Sequence, residues 1–189
     1  TTIIEVSDID DERNDSLVYV SFIHSMDKPI RDNGGQTFIP GYSFRTTDNP
    51  DFALFNVRLR GRIKDGVITT DPVPQFDFNP GQGTVTTLYK AQVRLEPQPD
   101  GSVKGYLGGY QDWRRLAYSG YSEGLFGFQA PGVYYSLKRN ADGLRDPVTG
   151  EYNGISTILE IDTVPAFITP ATPSGTATAR AGSTGRTSR

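Results

Sequence analysis

The sequence predicts a mainly β protein, an antiparallel β-sandwich or barrel with one or two short helices inserted around residues 110–142 and an irregular C-terminal tail. Three observations carry that prediction. Residues 55–63 alternate apolar and polar side chains without a break, which is the two-residue period of a half-buried strand. Residues 85–107 read as a second long hairpin. Turn-forming residues are frequent, with 21 Gly and 13 Pro, while 11% aromatics supply a core dense enough to exclude a disordered chain.

Taken in order, an apolar start at Ile3-Ile4-Glu5-Val6 runs into an acidic cluster of Asp8, Asp10, Asp11, Glu12 and Asp15. Leu17 to Ile23 is rich in β-branched and aromatic residues and reads as a buried strand. Residues 26–51 look like a long loop punctuated by Asn33-Gly34-Gly35 and Pro40-Gly41, with a short strand at Thr37-Phe38-Ile39. In the alternating strand that follows, Phe55, Val57, Leu59 and Ile63 face the core, and Asn56, Arg58, Arg60 and Arg62 face out. Lys64-Asp65-Gly66 supplies a tight turn, because Asp-Gly tolerates the positive φ that hairpins need. In the second hairpin Val85, Thr87, Tyr89, Ala91, Val93 and Leu95 fall on one face, Pro97 to Gly101 turns the chain, and residues 102–107 pair back. After Gly108-Gly109 the period changes. Residues 110–116 suit a short helix, and residues 131–141 a second, opened by Pro131 and closed by Lys138, Arg139 and Asp142-Gly143. Ile155 to Ile161 is the last strand. The expected organisation is one β-rich domain over residues 1–164 and a Thr/Ser/Ala/Gly/Arg tail over 165–189.

The composition excludes several chemistries. Zero cysteines remove disulfides, zinc-thiolate sites, iron–sulfur clusters and thiol nucleophiles. A net charge of −3, from 19 basic and 22 acidic residues, lacks the basic excess of a nucleic-acid binder. No apolar run approaches the roughly 20 residues of a membrane-spanning helix. The opening Thr1 fits either an excised fragment or a mature exported chain; with no cysteine, the reading favoured is extracytoplasmic, in the periplasm or at the cell surface.

Candidate sites are few. His24 is the single histidine and has no Gly-x-Ser-x-Gly elbow beside it, so a structural role is expected rather than a triad. Oxygen ligands for calcium are offered by Asp8-x-Asp10-x-Glu12-x-Asn14 and, ahead of it, by Asn140, Asp142, Asp146 and Glu151. Strand pleating sets Arg58, Arg60 and Arg62 on one face about 7 Å apart. Carboxylates on neighbouring strands, such as Glu96, are the expected answer to that stripe; an anionic partner or polysaccharide is the alternative. Tyr106, Tyr110, Trp113, Tyr118, Tyr121, Phe126, Phe128, Tyr134 and Tyr135 form a dense aromatic group, suited to a core or to a sugar- or protein-binding surface. The tail has almost no core-forming residues, so a partner chain is what would order it, with Arg180, Arg186 and Arg189 free to form ion pairs.

Three functional expectations follow. The first is a non-catalytic structural or interaction subunit of a larger extracytoplasmic assembly, contacting other protein subunits through the tail and the aromatic segment. The second is a carbohydrate- or small-ligand-binding β module, assisted by calcium. The third is a hydrolase working through paired carboxylates that share a cleft.

Overall fold

The computed structural model describes residues 1–47, 50–78, 85–122, 124 and 130–170. The chain order is β1 (Thr2–Ser7), β2 (Asn14–His24), β3 (Tyr42–Arg45), a 3-10 turn (Pro50–Phe55), β4 (Val57–Lys64), β5 (Val67–Thr70), β6 (Val73–Phe78), β7 (Thr86–Pro97) and β8 (Val103–Asp112). Two helices follow, α1 (Trp113–Ser122) and α2 (Ala130–Arg139), then β9 (Gly143–Arg145), β10 (Tyr152–Asp162) and β11 (Ala166–Thr169). The protein is therefore mainly β, as its alternation predicts, with an antiparallel sheet of nine strands and two short helices in the expected interval.

The sheet runs in the order β1-β2-β4-β5-β7-β8-β10-β9, and β6 pairs with β7. All of these pairings are antiparallel. β5 and β6 lie along the same edge of β7, Ile68 facing Leu95 and Phe76 facing Leu88, so they form one strand broken at Asp71-Pro72. Pro72 has no N–H to give to a ladder, and here the hydroxyl of buried Thr70 accepts the Val93 N–H at 3.0 Å.

The sheet curls around a single core. Val18, Val20, Phe22, Leu59, Ile63, Ile68, Phe76, Leu88, Ala91, Val93, Leu95 and Leu107 are buried together, with Ile4, Leu159 and Ile161 packed against them. Phe22 on β2 meets Phe76 on β6 edge to face at 4.9 Å, a contact between strands that are not neighbours in the sheet. Such curvature needs close approach of adjacent backbones, and Gly105 provides it: a Cβ there would sit 2.0 Å from the Arg94 carbonyl oxygen. The result is an open barrel: β1 and the part of β10 beyond its short pairing with β9 line one cleft without bonding to each other.

The strict alternation expected for β7 breaks at Lys90, which has φ 50. The register against β8 shifts between Tyr89 and Gln92, a β-bulge that flips the strand face. Leu88 therefore joins the hydrophobic cluster, while Thr87, also buried, bonds Asp77 and Tyr89 is half-buried. The Asp65-Gly66 turn behaves as expected, with φ 52 and 79. β8 extends through Asp112, so the first helix begins at Trp113 rather than at 110. The expected strand at 37–39 reduces to an isolated bridge between Arg31 and Phe38. β11 lies beyond residue 164 and pairs in parallel with β3, Phe167 opposite Ser43.

Candidate functional site

The strand register gathers the arginine stripe and part of the aromatic segment on the outer face of the barrel. Arg62 on β4 faces Thr69 on β5, Thr69 faces Arg94 on β7, Arg94 faces Tyr106 on β8, and Tyr106 faces Glu160 on β10. The adjacent row runs from Gln92 through Gly108 to Ile158, and the next from Tyr89 through Tyr110 to Ser156. Gly108 has open space where a side chain would stand, so it floors a groove of about 570 Å³ between Tyr106 and Tyr110, bordered by Lys90, Gln92 and Arg94. Cations, amide and two phenol rings around a glycine floor can hold a flat or extended anionic ligand.

The stripe itself is largely answered within the chain. Arg58 donates to Asp8 at 2.7 Å and lies over the Tyr19 ring at 3.9 Å. Arg60 pairs with Asp71 at 3.9 Å. Glu96 bonds Arg94 instead of the stripe. Arg62 has no ion pair among the described residues.

The helices carry the other aromatic candidates. Trp113 is 2% exposed, with Tyr134 edge-on at 4.9 Å and the Arg114 guanidinium over its ring at 4.8 Å. It anchors the helices and offers little ring surface to a ligand. Helical spacing places Arg114, Tyr118 and Tyr121 on one flank of α1, about 100° around the axis from buried Trp113, Ala117 and Gly120. Tyr118 is 74% and Tyr121 64% exposed, and Tyr135 on α2 also stands in solvent. Arg115 fixes α1 to the sheet: it donates to Thr87 at 2.8 Å, and the Thr87 hydroxyl donates to buried Asp77 at 2.5 Å. Phe126 and Phe128 lie outside the described residues, as do Arg180, Arg186 and Arg189.

Two of the calcium candidates in the 140–151 loop, Asp142 and Asp146, spend carboxylate oxygens on local hydrogen bonds. Asp142 accepts the Ser156 N–H at 2.8 Å and its hydroxyl at 2.7 Å, and these bonds hold its carboxyl below the ordinary range. Asp146 accepts the N–H groups of Thr149 and Val148, with the same effect. Asn140 donates to the Ser136 carbonyl at 2.8 Å, and the Glu151 N–H is donated to the Thr149 hydroxyl. In the N-terminal cluster Asp15 accepts from Leu17, Asp10 and Asp11, which lowers its pKa. Among the described residues no three His, Asp or Glu side chains gather as a metal cage.

His24 stacks on Phe52 at 4.8 Å and lies beside Phe55, and burial pushes its pKa below the usual value. Of the carboxylates, Glu5 and Asp162 line a common cleft between β1 and the end of β10. Both are exposed to water. Lys90, Arg94, Gly108 and Ile158 were not singled out by sequence. The Gly108-Gly109 pair was the available signal, but it suggests a break where the strand in fact continues.

No helix among the described residues is long and apolar enough to cross a membrane. Compared with known families, characterised proteins and solved structures, the chain matches none.

Proposed function

We propose that this protein is a non-catalytic interaction subunit of a larger extracytoplasmic assembly, and that the exposed face of α1 is its principal contact. The observation that carries the reading is the Arg114, Tyr118, Tyr121 stripe, which stands in solvent on the flank of α1 beside the buried Trp113 anchor, with Arg114 over the Trp113 ring. Tyr and Arg are the residue types that dominate binding energy at protein interfaces, because large rigid surfaces lose little entropy on docking. An anchor beneath them keeps the stripe pre-organised. The absence of cysteine leaves the fold indifferent to an oxidising compartment. Site-specific photo-crosslinkers at 118 and 121, with a control at 65 on the β4–β5 turn, test this in extracts of the source organism. One shared partner at 118 and 121 that is missing at 65 is the expected result. Equal or absent labelling at the three positions removes the proposal.

A second reading is favoured by the groove around Gly108: a module that binds an acidic glycan, stacking a sugar between Tyr106 and Tyr110 while Lys90 and Arg94 meet its carboxylates. Titration with a uronic-acid oligosaccharide should shift the ring resonances of both tyrosines, and Arg94→Ala should weaken binding several-fold. Unchanged spectra at saturating sugar would exclude it.

A further inference from the structure

The barrel is one stave short. β1, β2, β4, β5, β7, β8 and β10 succeed one another antiparallel, seven staves in all, so the first and last run in the same direction. They cannot pair with each other in the antiparallel manner of the rest of the sheet. A single strand running the other way fits between them and is antiparallel to both.

The hydrogen-bond phase shows which groups such a strand would meet. Thr1 and Ser25 exchange backbone bonds, so Ile3, Glu5 and Ser7 bond β2, and the polar backbone of Thr2, Ile4 and Val6 points to the open side. Thr163 donates to the Val103 carbonyl, so Ile161, Leu159 and Thr157 bond β8, and Ile158, Glu160 and Asp162 point to the seam. Gly154 is taken by β9, and the Ser156 N–H by the Asp142 carboxylate. Among the described residues nothing bonds the two remaining edges. A space of about 360 Å³ at the seam is lined inside by Ile4, Phe22, Phe76, Leu159 and Ile161, and a second of about 700 Å³ lies between Ile3, Ile4, Phe38, Phe44 and residues 162–168. Outside, Glu5, Glu160 and Asp162 are exposed carboxylates.

We propose that this seam accepts one extended segment of a partner protein in which apolar and basic residues alternate. Its apolar side chains enter the core between Ile4 and Ile161, and its Lys or Arg side chains meet Glu5, Glu160 and Asp162. Both backbone edges supply ladder bonds, as in strand addition to an open sheet. The chain's own residues 171–189 do not suit the place, because their only apolar side chains are Ala and Pro. Its own apolar–basic strand, β4, is bonded on both edges by β2 and β5. This surface is separate from the tyrosine face of α1, and the two proposals stand or fall apart.

The test is amide hydrogen exchange of the full chain with a capped heptapeptide of alternating Val and Lys, against a Val-Glu peptide and a block-sequence peptide of the first composition. The expected result is slowing by about tenfold or more at Thr2, Ile4, Val6, Ile158, Glu160 and Asp162, with the Val-Lys peptide alone. The double variant Glu5→Lys/Glu160→Lys should transfer that protection to the Val-Glu peptide, and because both positions are exposed the fold should persist. No protection at these amides overturns the proposal. So does equal protection by the block peptide, or protection that grows with protein concentration in the absence of peptide, which would assign the seam to a second copy.

Discussion

Gly105 and Gly108 lie three residues apart on β8, yet the geometry assigns them opposite responses to the same substitution. In Gly105→Ala the new Cβ would stand 2.0 Å from the Arg94 carbonyl oxygen and 3.0 Å from the Leu95 Cα, where ordinary contact begins at 3.4 Å. Both atoms belong to the backbone of a central strand, so relief requires β7 and β8 to move apart by about 1 Å or more, with loss of ladder bonds around Leu95. Overpacking costs about 1–3 kcal/mol when side chains can yield, and a backbone clash belongs at the top of that range, so we expect about 3 kcal/mol. For a chain of this size that lowers Tm by roughly 6–12 °C. Gly108→Ala meets nothing within 4 Å. It removes the entropic penalty of a strand glycine, and stability should stay level or rise by up to about 1 kcal/mol. Trp113 is the sole tryptophan and is buried, so its fluorescence reports urea unfolding directly. Midpoints compared at a common m-value give the difference. If the two variants fell within about 1 kcal/mol of each other, the claim that Gly105 sets the curl of the sheet would be wrong.

Other outcomes can be checked on the same material. Arg58→Ala removes a cation–π contact and an ion pair and should cost about 1 kcal/mol, less at high salt, whereas Arg62→Ala should stay within about 0.5 kcal/mol. Equal costs would show that the stripe is not answered pairwise. Trp113→Ala should cost about 3–5 kcal/mol by opening a cavity. Trp113→Phe should cost far less, because it also removes an indole N–H that has no partner among the described residues; circular dichroism melts read both. Arg45 donates two side-chain bonds and its backbone N–H to Asp27, holding that carboxyl at about 2. A pKa depressed on folding stabilises above the unfolded value of 3.8 and loses that contribution as pH falls toward about 2. Asp27→Asn should flatten the acid limb of the stability curve, and an NMR midpoint for Asp27 near 3.8 would mean the pair does not form in solution. His24, whose pKa burial lowers, should add stability above its ordinary 6.5 that is lost as pH falls through its lower folded value, and a ring titration at or above 6.5 would contradict its stacking on Phe52.

The parts of the fold legible in sequence are those governed by local chemistry. β4 and the Asp65-Gly66 turn are written in side-chain alternation and in a dipeptide that accepts positive φ, and both occur as expected. β7 shows where that logic stops. Lys90 carries no mark of the bulge it forms, because the bulge arises from pairing against Gly109 on another strand. β11 has only four residues and is stabilised by β3, more than a hundred positions away in the chain, so its own composition resembles a tail. At the candidate site, the exposed polar face of β4 was readable, but the Gly108 groove and the unpaired edges of β1 and β10 exist only through register. Trp113 illustrates the remaining ambiguity: a tryptophan amid tyrosines and glycines suits a surface or a core equally, and burial is decided by where Tyr134 returns.

The helical excursion has one further consequence. Asp112, the last residue of β8, and Gly143, the first of β9, flank Gly154 of β10 from opposite sides. The excursion therefore leaves and rejoins the sheet across two strand spacings, about 10 Å. A segment whose ends lie so close is a cassette: its length and its surface can change while the register of the barrel on either side is unaltered. Selection can then rewrite the outward tyrosines of α1 for a new contact while the scaffold that presents them is inherited whole.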